Sequence, residues 1–167
     1  MKTFIFYLMM FLSISTSAYS NNALFAQGQS MIKNFEGFQS CPYADNGQMS
    51  VGYGTDVNFL NKGLVCITKK EASDALNKRY LVAVKDAKKY LGDLVFNKLS
   101  PNRQLVIIDM SYNLGFNRLS KFKLLKIALT NEDYKQATKE MQNSKWYQQV
   151  NRRSKKLCKI MLTDKLN

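Results

Sequence analysis

The 167-residue chain contains no histidine, which leaves carboxylates as its main means of moving protons. Ser-His-Asp and Cys-His arrangements are excluded, as is any His-ligated zinc, and Cys41, Cys66 and Cys158 show no metal-ligand spacing. Two acids stand out by position. Glu36 closes an apolar helical pattern, between Phe35 and Gly37-Phe38, where apolar neighbours favour the protonated form a general acid requires. Asp45 lies in the polar turn Ala44-Asp45-Asn46-Gly47, which favours the ionised form. One protonated and one ionised carboxyl flanking a bond is the equipment of glycoside cleavage: the first assists the leaving oxygen, the second activates water or attacks directly. Singly, each has a plainer reading, a solvated carboxylate at a helix end and an Asx-turn.

The surrounding residues change the weight of that pair. Glu36-Gly37-Phe38, then Tyr43-Ala44-Asp45, then Ser50-Val51-Gly52-Tyr53-Gly54-Thr55 resembles the signature of the phage-type lysozymes, glycoside hydrolase family 24. The resemblance covers most of the chain. Met110-Ser111-Tyr112-Asn113-Leu114-Gly115 looks like the family's Phe-Asn-x-Gly segment, and Asn143-Ser144-Lys145-Trp146-Tyr147 with Asn151-Arg152-Arg153 looks like its Ser-x-Trp and Asn-Arg elements. Residue by residue, the resemblance implies Glu36 as general acid, Asp45 as the carboxylate that positions or activates water, and Ser50 as the hydroxyl holding that water. It also implies that Arg152 pairs with Glu36 or supports its helix, and that Tyr53 and Asn113 bind substrate or support the site. Two positions depart from the pattern: Ser50 follows Asp45 by five residues where six is common, and Thr55 stands where the family has histidine. Gly52 and Gly54 read as turn glycines that let backbone approach a sugar. Trp146 reads as lobe packing rather than a sugar platform.

These residues need elements to hold them. Leu24, Phe25, Met31, Ile32 and Phe35 form a helical stripe that stops at Glu36-Gly37. Glycines 47, 52, 54 and 63 then punctuate short segments that read as hairpins. Thr68-Lys69-Lys70-Glu71 is a capping-box pattern opening a long helix to Tyr90, with Ala75, Leu76, Tyr80, Val84 and Ala87 as its buried stripe. Ser100-Pro101 opens an apolar helix that Gly115 stops. Further helices are expected over residues 120–129, from a cap at Asn131 to about Met141, and over residues 144–162. The fold class is α+β. With the resemblance it becomes lysozyme-like: a small β-containing N-terminal lobe at about residues 36–66, and a helical C-terminal lobe at about 67–167 plus the first helix, joined by a long helix.

Residues 1–20 read as a cleaved signal peptide: Lys2, an apolar run over residues 4–14, and Ala18-Tyr19-Ser20 at the cut. The run is short of the ~20 residues a spanning helix needs. The catalytic domain is then residues 21–167, with 24 basic and 12 acidic residues. Export delivers that charge to a periplasmic or extracellular setting, where the expected partners are peptidoglycan and an anionic envelope surface rather than nucleic acid. Arg152, Arg153, Lys155 and Lys156 read either as a solvated helix face or as part of that attraction. Export also permits a disulfide; Cys41 with Cys66 would staple the small lobe, though three pairings are open. No metal or cofactor is expected, and the chain is expected to be a monomer. Three activities fit: hydrolysis of the N-acetylmuramic acid–N-acetylglucosamine β-1,4 bond, which the resemblance implies is inverting, lytic transglycosylation of that bond, or non-enzymatic binding to walls or membranes.

Overall fold

A computed structural model describes residues 22–45 and 47–166; the expected signal peptide lies outside the described residues. Helix α1, residues 22–36, buries Met31 and Ile32 and rests Leu24, Phe25 and Phe35 against the main core. It ends where the stripe ends. Gly37 adopts φ +69° while its N–H donates to the Lys33 carbonyl at 3.0 Å, so the chain leaves the helix just after Glu36.

Strands β1 (Gln39–Asp45), β2 (Gln48–Gly52) and β3 (Thr55–Asp56) form an antiparallel sheet in sequence order. Tyr43 pairs with Ser50 and Asp45 with Gln48, so only two residues separate the first two strands. Asn-Gly in that gap is a strong hairpin signal, and Gly47 supplies the positive φ the turn needs. A short helix α2 (Val57–Leu60) follows, its first turn capped by Asp56 accepting from the Asn58 N–H at 2.8 Å. This lobe has its own small core of Val51, Val57, Ile67 and Ala72. A disulfide joins Cys41 of β1 to Cys66, beside Ile67, whose N–H donates to the Ser40 carbonyl at 2.7 Å.

Helix α3 (Lys69–Leu91) runs 23 residues, about 34 Å at the usual rise, and links the lobes. Thr68 and Glu71 form the reciprocal capping box. Of the expected stripe, Ala75, Leu76, Tyr80 and Ala87 are buried and Val84 is half-buried. Helix α4 (Asp93–Lys98) leads to α5 (Pro101–Leu114), with Ser100 as its N-cap and Leu105 through Tyr112 buried as one run. That continuous burial makes α5 the axis of the helical lobe.

The remaining helices begin and end differently from expectation. Residues 116–119 form their own turn, α6 (Phe116–Leu119), and Ser120 ends it, so the next helix is α7 (Lys123–Thr130). Asn131 terminates α7 instead of opening α8 (Tyr134–Gln142), which Asp133 caps by accepting from the Gln136 N–H at 2.8 Å. Glu132, at φ +57°, breaks the path between them. The C-terminal region is two helices, α9 (Lys145–Gln149) and α10 (Arg152–Thr163), separated at Asn151 with φ +23°. Cys158 sits within α10 as a buried free thiol.

Candidate active site

Glu36, as the last residue of α1, projects where the two lobes meet. Its Oε1 accepts a hydrogen bond from Arg153 Nη1 at 2.6 Å, and the same guanidinium donates through Nε to Asp109 Oδ1 at 2.6 Å. Side-chain exposure falls along this line, from 19% for Glu36 to 7% for Arg153 and 1% for Asp109. The Phe35 ring lies 5.1 Å from the guanidinium, so the cation is held between a π face and two carboxyls. Burial pushes the Asp109 carboxyl above the usual carboxylate range; Arg153 pulls it down and the charge of Glu36 pushes it further up.

Arg152 supports the helix that carries Glu36, donating from Nη2 to the Asn34 carbonyl at 3.1 Å, but the ion pair with Glu36 belongs to Arg153. Reading residue 153 as part of a solvated face is therefore corrected: Arg153 is buried. The signal was available. Arg153, Leu157, Ile160 and Met161 are spaced i, i+4, i+7, i+8, the inward face of α10, once the helix is known to begin at residue 152.

Asp45 ends β1 on the other lobe. Ser50 Oγ donates to Asp45 Oδ2 at 3.4 Å and accepts from Gln48 Nε2 at 3.3 Å, both long contacts. Ser50 is fully buried, so its hydroxyl stands behind Asp45, braced by the neighbouring strand, and not at the open cleft. Tyr43 on β1 senses both acids: burial first, then the charges of Asp45 and Glu36, raise its phenol above the usual range. Glu36 and Asp45 line one cleft of about 660 Å³, whose other walls include Asp86, Asn113 and Arg118.

Gly52 and Gly54 sit against other parts of the protein. A Cβ at Gly54, where φ is +68°, would lie 2.7 Å from Glu36 Oε2, and one at Gly52 would lie 2.9 Å from the Ala72 Cβ. Each clears space for a neighbouring side chain or helix. Tyr53 packs on Phe38 with ring centroids 5.6 Å apart, and its carbonyl accepts from Tyr112 Oη at 2.9 Å. It bridges the two cores and does not line the cleft. Asn113 does line it, with Oδ1 accepting from Trp146 Nε1 at 2.8 Å, and buried Trp146 is accordingly a packing residue.

Two residues were missed by the sequence reading. Arg79 of α3 stacks 4.3 Å from the Tyr112 ring and donates to the carbonyls of Gly54 and Tyr112, tying the small lobe's turn to α5. Nothing in its sequence neighbourhood separates it from other basic residues of α3. Asp109 did carry a signal, as the lone acid inside the apolar run from Leu105 to Met110, where an unpaired charge is costly.

Residues 33–160 match the family model for phage lysozyme, a span that includes Glu36, Asp45 and the buried arginine. Among similar proteins, a probable T4-type lysozyme 1 of Dictyostelium discoideum is 28% identical over 115 residues, 68% of each chain. A probable T4-type lysozyme 2 from the same organism is 28% identical over 72 residues, 43% of this chain and 42% of that one. The pre-baseplate central spike protein Gp5 of Enterobacteria phage T4 is 29% identical over 72 residues, 43% of this chain and 12% of the spike protein. The chain belongs to the phage lysozyme family. That membership makes it a lysozyme, a peptidoglycan hydrolase of the muramidase type.

Proposed function

We propose that this lysozyme is exported and hydrolyses the β-1,4 bond between N-acetylmuramic acid and N-acetylglucosamine, with Glu36 as general acid and Asp45 as general base. The observation that carries this reading is that two carboxyls supplied by different lobes line a single cleft. Glu36 gives its proton to the glycosidic oxygen as the bond to the anomeric carbon breaks. Asp45 takes a proton from a water attacking that carbon from the opposite face, so the product is inverted. Ser50 fixes the Asp45 carboxylate through their hydrogen bond, and Asn113, anchored by Trp146, offers its amide to the sugar. The Cys41–Cys66 disulfide favours an oxidising compartment and so supports export.

The test is Glu36→Gln assayed on purified peptidoglycan, with mass spectrometry of the wild-type products. A folded variant that no longer clears the substrate, and wild-type products with reducing ends, are expected. Retained clearing would refute the role of Glu36, and anhydro-muramyl ends would replace hydrolysis by transglycosylation.

A further inference from the structure

Asp109 has no part in that mechanism, yet a carboxyl almost wholly removed from water needs a reason to be there. It sits in the middle of α5 and bonds the same guanidinium that holds Glu36, with both contacts at 2.6 Å. Its second oxygen, Oδ2, is buried without a hydrogen-bond partner among the described residues, so Arg153 is the cation that offsets its charge. Two carboxyls thus share one cation.

We propose that Asp109 is a positioning residue: by sharing Arg153 with Glu36 it lets the three-group cluster retain one proton, which Glu36 can deliver. The inference rests on Glu36 being the general acid. Charge counting gives the reason. With Asp109 present, the cluster of Glu36, Arg153 and Asp109 is neutral when it holds one proton. Without that acid the remaining pair is neutral with no proton, and protonating Glu36 would leave the buried guanidinium uncompensated. The other groups near the cluster are Tyr43 of β1, Tyr112 of α5 and Tyr80 of α3, all phenols, and Asp45 at the end of β1; Asp56, Asp86 and Arg118 line the same cleft as Glu36. Arg79 of α3 is engaged with the Gly54 and Tyr112 carbonyls, and Arg152 with that of Asn34. Replacing Asp109 changes the charge of none of them.

Asp109→Asn keeps the shape and an oxygen for Arg153 Nε while deleting the charge. The acid must be protonated to act, and the deletion favours its proton-free form, so the alkaline limb of kcat moves to lower pH. The expected shift is about one pH unit or more. At pH values above the limb kcat falls about tenfold, with KM unchanged. A uniform loss of kcat with the limb in place, as a purely structural role gives, would overturn the proposal. Should Asp109→Asn fail to fold, a ¹³C titration of the wild-type carboxyl carbons decides. Asp109 and Glu36 following one shared two-step profile supports the coupling; a single independent step at Glu36 with Asp109 unresponsive refutes it. Glu36→Gln is run beside these: if it stays active, the acid assignment has failed, whereas an inactive Glu36→Gln with an unmoved Asp109→Asn limb sinks only the role of Asp109.

Discussion

Space at the Glu36 end of α1 is allocated atom by atom. Gly54 faces Glu36 so closely that a single methyl group meets the carboxylate, and the backbone there is already in the left-handed region. Gly54→Ala therefore strains the turn and displaces Glu36 from Arg153 at once. We expect a stability loss of about 1–2 kcal/mol by thermal unfolding, and an activity loss of at least about tenfold beyond it. A variant with wild-type turnover would show that the carboxylate does not need its present position. At this scale the acids at 36 and 45 were legible because their flanking residues are contiguous in sequence. The arginine was not: Arg152 and Arg153 are adjacent, and only the start of α10 decides which one turns inward.

Elements differ in how much of themselves they write into the sequence. Thr68 with Glu71 and Ser100 with Pro101 were readable because a cap is made by residues a few positions apart. Beyond Leu119 the chain offers several competing stops and starts. Ser120 and Asn131 look like caps, but each ends a helix, since Asp133 and the positive-φ residues Glu132 and Asn151 set the actual boundaries. Tertiary packing chose among local signals of similar strength. The small sheet, with two short strands and one of two residues, leans on its disulfide. Cys41 and Cys66 are 25 residues apart, and a cross-link closing a loop of that length stabilises a chain by about 3 kcal/mol. Replacing both by serine should cost about that much in denaturant unfolding, and wild type under reductant should approach the variant. An unchanged midpoint would mean that the sheet holds itself.

For the molecule as a whole, the relevant quantity is a formal charge of +13 over the full sequence, from 25 basic and 12 acidic residues. Exposed charges of one sign act over about 30 Å at 0.01 M salt and about 8 Å at 0.15 M. If that field draws the enzyme to anionic walls, adsorption to intact sacculi should fall severalfold across this range, while turnover of a short, uncharged glycan fragment changes little. Equal salt dependence for both substrates would place the effect in the cleft instead of the surface. The division into a small sheet lobe and a helical lobe was legible, because periodicity and glycine placement change abruptly at residues 37 and 68. The cleft between them was not, because Arg79 closes it with contacts to residues 25 and 33 positions away.

The burial of Cys158, the odd thiol, bears on which disulfide can form. In the reduced chain three sulfhydryls compete for an oxidant, and two of the three combinations would join the small lobe to the carboxy-terminal helix. Once α10 docks, Cys158 is enclosed and burial pushes its thiol up to about 12, so almost none of it is the reactive thiolate. With helix α10 docked the third competitor is withdrawn, and the thiols left within reach of an oxidant are the matched pair.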